Sequence, residues 1–98
     1  VNEAVNEAVN EAVNEAVNEA VKIRLCKELV TIYVEKGIGL KELMIKFNMS
    51  RATLQRDIAV LKEYNLIIFA GSAKTGVYKL TEELKGKLDS VPAAGNKS

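Results

Sequence analysis

The chain has 98 residues, 48% hydrophobic and 28% charged, with one cysteine and no histidine, enough for one small domain. Its formal charge of +1 averages two unlike regions, −5 over residues 1–20 and +6 over residues 21–98. A lone cysteine excludes an internal disulfide, and the missing histidine removes both the commonest general base and the usual zinc partner. No apolar run approaches the length of a membrane span.

An enzyme is therefore not expected, and neither a metal nor another cofactor. The acidic N-terminus lacks the cationic region and apolar core of a signal peptide, so the expectation is a soluble cytoplasmic protein. The basic body suits an anionic partner.

Residues 1–20 are five identical copies of Val-Asn-Glu-Ala. On a helix each copy advances about 400°, so the Val/Ala stripe drifts by about 40° per copy and winds nearly halfway round the axis over five. That period fits neither left-handed nor right-handed coiled coils, which repeat every 3.5 or about 3.67 residues. Three readings stay open for this arm: a disordered extension, a continuous helical extension of the next element, or a dimerising or partner-binding helix.

Residues 21–36 read as a helix with Ile23, Cys26, Leu29, Val30, Tyr33 and Val34 inward. Leu25 and Ile32 widen the stripe enough for a second contact surface. Cys26 fits a buried small hydrophobe. Gly37 suits the left-handed cap, and Ile38 between two glycines suits a very short strand. Residues 40–47 place Leu40, Leu43, Met44 and Phe47 on one helical face. Asn48 tolerates the left-handed turn that follows.

Ser50 is a good N-cap for a helix in which Leu54, Ile58 and Leu61 share a face and Asn65 is the stop. Residues 66–70 and 77–80 read as strands joined by a Gly-flanked hairpin loop at 71–76. Thr81 can cap a last helix with Leu84, Leu88 and Val91 inward. Residues 92–98 hold too little apolar content to pack and are expected to be disordered.

The expected fold is thus mainly α with a small β-hairpin wing (α+β). It is a winged helix-turn-helix over residues 21–91, preceded by the four-residue-repeat arm (1–20) and followed by a tail (92–98).

With Leu54, Ile58 and Leu61 buried, Arg51, Ala52, Gln55 and Arg56 lie on the outer side of the first two turns, where a recognition helix meets base edges. Arg can bond guanine, Gln can pair with adenine, and Ala52 can touch a thymine methyl. The Ser50 and Thr53 hydroxyls, Lys41 and Lys46 fit phosphate ligands, which position without reading sequence. Lys74 and Thr75 at the wing tip fit a neighbouring phosphate or the minor groove. The bland readings stand beside these. Arg56 can be tied to Asp57 in a surface ion pair, and Lys41, Lys46, Lys74 and Gln55 can be ordinary solvated residues.

Residues 40–67, LKELMIKFNMSRATLQRDIAVLKEYNLI, resemble the winged helix-turn-helix of DeoR-type and related bacterial and archaeal repressors, especially at Ser50, Thr53-Leu54, Arg56-Asp57, Ile58 and Leu61. The stretch GVYKLTEE at 76–83 resembles the second wing strand and the start of the last helix in many winged-helix regulators. Without a sensing domain in these residues, the chain is similar to the small stand-alone regulators of archaea and mobile genetic elements. The resemblance implies a homodimeric transcriptional regulator, a repressor bound to double-stranded DNA. The alternative expectation is a winged helix that scaffolds a replication, partition or transcription assembly.

Overall fold

The computed structural model describes residues 2–13, 17–72 and 74–90. In chain order they form α1 (Asn2–Ala12), α2 (Glu19–Glu35), α3 (Leu40–Phe47), α4 (Arg51–Glu63), β1 (Ile67–Ala70), β2 (Val77–Leu80) and α5 (Glu82–Asp89). Mainly helical with one two-stranded antiparallel hairpin, this is the winged helix-turn-helix that the residue pattern predicts. The inward Val91, the expected disordered tail at 92–98, and repeat positions 1 and 14–16 lie outside the described residues.

Local signals place the ends of α2 to α5. Ser50 Oγ accepts from the Thr53 amide at 3.2 Å, and Thr81 Oγ1 accepts from the Leu84 amide at 3.3 Å, each satisfying a helix-start donor. Asn48 (φ 51°) and Asn65 (φ 62°) end α3 and α4 in the left-handed region, as their side chains allow. Ile38 makes one antiparallel bridge to Tyr78, joining the turn before α3 to the wing.

The α2 cap falls one residue earlier than expected. Lys36, not Gly37, takes the left-handed position (φ 59°), donating to the Tyr33 carbonyl, while the Gly37 amide reaches the Ile32 carbonyl. Gly37 is needed for another reason: at φ 122° a Cβ would lie 3.1 Å from Val77 Cγ2.

The repeat arm follows neither the disordered nor the continuous-extension reading. α1 is a separate helix that packs back on α2 and α5, with Val5, Val9 and Val13 at most 2% exposed. Three valines span only two repeat steps, so their stripe drifts by about 80° and stays inside an apolar arc of roughly 100°. A repeat asparagine then starts the next helix. Asn18 sits in extended backbone and its side chain accepts from the Val21 amide, capping α2 afresh. The glutamates Glu3, Glu7 and Glu11 are left in solvent.

Sequence-identical positions should therefore differ in energetic weight. Val9→Ala is expected to cost about 1.5–3 kcal/mol in chemical denaturation, for lost burial plus a residual cavity. Val17→Ala, at a half-buried position, should cost about 0.5–1 kcal/mol. Equal losses would mean that α1 is not docked in solution.

The core face of α2 also differs from the expected one. Leu25, Glu28, Leu29 and Ile32 are buried, whereas Ile23 and Val34 are 51% and 64% exposed. With apolar residues all round the helix, a charged residue at position 28 masked the true stripe. Cys26 is half-buried, and burial pushes its thiol up. The Tyr33 hydroxyl donates to Asp89 at 2.6 Å, tying α2 to α5.

Candidate nucleic-acid interface

The face of α4 away from the core is built by helical geometry alone. Leu54, Ile58 and Leu61 are buried together with Asp57. At 100° per residue, Ala52, Ala59 and Glu63 lie opposite that ridge, with Arg51, Gln55 and Lys62 on one flank and Arg56 toward the other. Arg51, Ala52, Gln55 and Arg56 are all exposed. The small Ala52 and Ala59 leave the centre of this face low, so the longer side chains stand on either side of it.

The fold brings α3, α4 and the wing together. Lys41, Arg51, Lys74 and Thr75 line one groove of about 590 Å³, together with Lys62, Phe69 and Tyr78. The last two rings stack tilted, with centroids 5.2 Å apart, and stiffen the wing wall. Gly76 is required there, since a Cβ would come within 2.1 Å of the Phe69 ring.

The other expected phosphate ligands are arranged differently. Ser50 and Thr53 bond each other through their hydroxyls at 3.0 Å, and Thr75 and Ser72 do so at 2.8 Å. Lys46 is 3.6 Å from Glu35 in a loose surface pair, so it stands apart from the groove.

Lys62 was not singled out from the sequence. Its signal is spacing, because eleven residues after Arg51 is about three helical turns and so the same flank.

The surface pair between Arg56 and Asp57 does not form. Asp57 is only 2% exposed and points back to α2, where Arg24 Nε donates to Oδ2 at 2.5 Å and Nη2 to Oδ1 at 2.7 Å. That fork raises the Arg24 guanidinium above its usual value. Arg56 makes no ion pair among the described residues, which leaves its charge to the solvent face.

Beside this pair lies Glu28, 1% exposed, with neither carboxyl oxygen hydrogen-bonded as a carboxylate. Its neighbour is another acceptor, so the protonated form is the one that can donate to Asp57. Burial, that bond and the Asp57 charge, opposed by Arg24, push Glu28 up to about 9. Neither Arg24 nor Glu28 stood out in the sequence; an acidic residue between Leu25, Leu29 and Ile32 is the signal that marks them.

Among the described residues no helix is long and apolar enough to cross a membrane. The sequence profile of the family described as HTH domain matches residues 24–78. A search of curated proteins gave no match. Among solved structures, HlyU from Vibrio cholerae N16961 is similar, with a TM-score of 0.60 over 90% of this chain and 88% of that chain at 21% identity. At that identity the likeness speaks for the fold.

Proposed function

Because the chain belongs to the HTH domain family and carries a winged helix-turn-helix DNA-binding domain, we propose that it is a sequence-specific transcriptional regulator. In this reading it acts in the cytoplasm as a homodimer, reads the major groove with α4 and represses its own or a neighbouring operon. The supporting observation is the outer face of α4. Arg51, Gln55 and Arg56 are exposed there, and Arg51 opens the groove shared with the wing.

The N-terminal turns of a recognition helix enter the groove deepest. Arg51 and Arg56 suit guanine O6 and N7, Gln55 suits adenine N6 and N7, and Ala52 suits a thymine methyl. Ser50, Thr53, Lys41, Lys74 and Thr75 take backbone roles at the rim. The exposed Ile23 and Val34 on α2 offer apolar surface for a second copy.

Selection from random duplexes with the full chain tests this. Two inverted half-sites about 34–36 Å apart are expected. Arg51→Ala and Gln55→Ala should each relax preference at one base position by about 1–3 kcal/mol. If the selected pool stays random, or its motif is unchanged in both variants, α4 is not the reader and the scaffold alternative gains.

A further inference from the structure

Glu28 has no role in base reading, yet it is the acidic group that the fold buries most completely. It sits on the core face of α2, one turn after Arg24, whose guanidinium grips the α4 residue that immediately follows Arg56. Of the charged groups on the described elements packed against α2, Arg24 on its own helix and Asp57 on α4 are the two that act on it. The Arg24 fork is committed to Asp57 through both carboxylate oxygens. Neither Glu28 oxygen meets a donor among the described residues, so a retained proton, donated to Asp57, is what satisfies its carboxyl group.

We propose that Glu28 is a positioning residue for the DNA-reading helix, seating α4 against α2 through a proton shared with Asp57, so that DNA affinity depends on that proton. The inference rests on the reading of α4 given above. With the proton in place, the cluster holds one guanidinium, one carboxylate and one neutral acid, and its net charge is zero. Without it, two nearly sealed carboxylates share a single guanidinium, and repulsion acts across the α2–α4 contact. Arg51, Gln55 and Arg56 ride on α4, so their reach to base edges changes with its seat; misplacement of a reading group by about 1 Å is enough to lose a bidentate bond.

The direction follows from linkage. Burial and Asp57 place the Glu28 transition near 9 in the folded protein. The favourable contribution of the protonated group is complete below its unfolded-state value and is lost as pH rises through that transition. DNA phosphates add negative potential, so binding further favours the protonated form.

The test is a titration of the full chain with the duplex recovered by selection, at fixed ionic strength between about pH 7 and pH 9.5. Wild type is compared with Glu28→Gln, whose amide donates to Asp57 without titrating, and with Glu28→Ala. Wild type should lose about fourfold more affinity per protomer across this range than Glu28→Gln, because lysine titration is common to both and cancels in the ratio. Glu28→Ala should bind weakly at every pH, and Glu28→Gln should restore the neutral-pH affinity.

Parallel profiles for wild type and Glu28→Gln would overturn the inference. So would a wild-type affinity loss that only tracks unfolding by circular dichroism at alkaline pH, since α4 would then be lost rather than reseated. If neither protein binds DNA at neutral pH, the DNA-reading function itself fails and the inference falls with it.

Discussion

Arg24→Ala is expected to destabilise the fold by about 3 kcal/mol at neutral pH, the lower end of the range of about 3–5 kcal/mol for breaking a buried pair. The reason is what stays behind. Asp57 is 2% exposed and Glu28 is 1% exposed, so the substitution leaves two carboxyl groups in the interior with no cation between them. The lower end applies because the Arg24 side chain is 36% exposed, and water entering from that side softens the loss. Arg24→Lys should fall between the two, keeping the charge but not the fork that meets both oxygens of Asp57.

The Arg24→Ala loss should also grow with pH. Glu28 rises to about 9 in the fold, so the folded state holds a proton that the unfolded chain has released. Stability must then fall with rising pH across that window. Removing Arg24 takes away the one cation that favours ionised Glu28, which steepens the fall at its alkaline end. Urea denaturation at acid, neutral and mildly alkaline pH measures both effects. A loss under about 1 kcal/mol that ignores pH would show that the Arg24–Asp57 pair is not formed in solution.

DNA affinity is expected to drop by roughly 10³–10⁵-fold between 50 and 200 mM salt if about 6–10 phosphates are neutralised. Lys41, Arg51, Arg56, Lys62 and Lys74 are exposed cations on or beside the proposed interface of each protomer. Each phosphate contact contributes about 0.9 to the slope of log affinity against log salt, through counterion release. Lys74→Ala should therefore lower that slope by about 1 per protomer while leaving base preference intact. A slope near zero would discard the phosphate-anchored docking, whatever the selected sequence.

These expectations depend unequally on what the sequence alone could show. The apolar spacing of Leu40, Leu43, Met44 and Phe47, and then of Leu54, Ile58 and Leu61, was readable because a helix repeats its faces every three or four residues. Ser50, Asn48 and Thr81 marked ends of helices for equally local reasons, through one hydroxyl to one amide or one tolerant backbone angle. The outward set of Arg51, Ala52, Gln55 and Arg56 followed from the same periodicity. On α2 it gave the wrong face, since apolar residues surround that helix and the charged Glu28 lies on its core side.

The sequence by itself determined the helix-turn-helix, its caps and the polar face of α4, because each rests on residues within about one turn of each other. Tertiary structure alone decided the rest. Arg24 and Asp57 meet across 33 positions, and Lys41, Arg51, Lys62 and Lys74 converge because three separate elements pack around one groove. The repeat makes the same point most sharply. Its copies are chemically identical, so nothing local separates a buried Val9 from a half-buried Val17. What separates them is which copies lie against α2 and α5 before the stripe rotates away, and which copy supplies Asn18 as a cap.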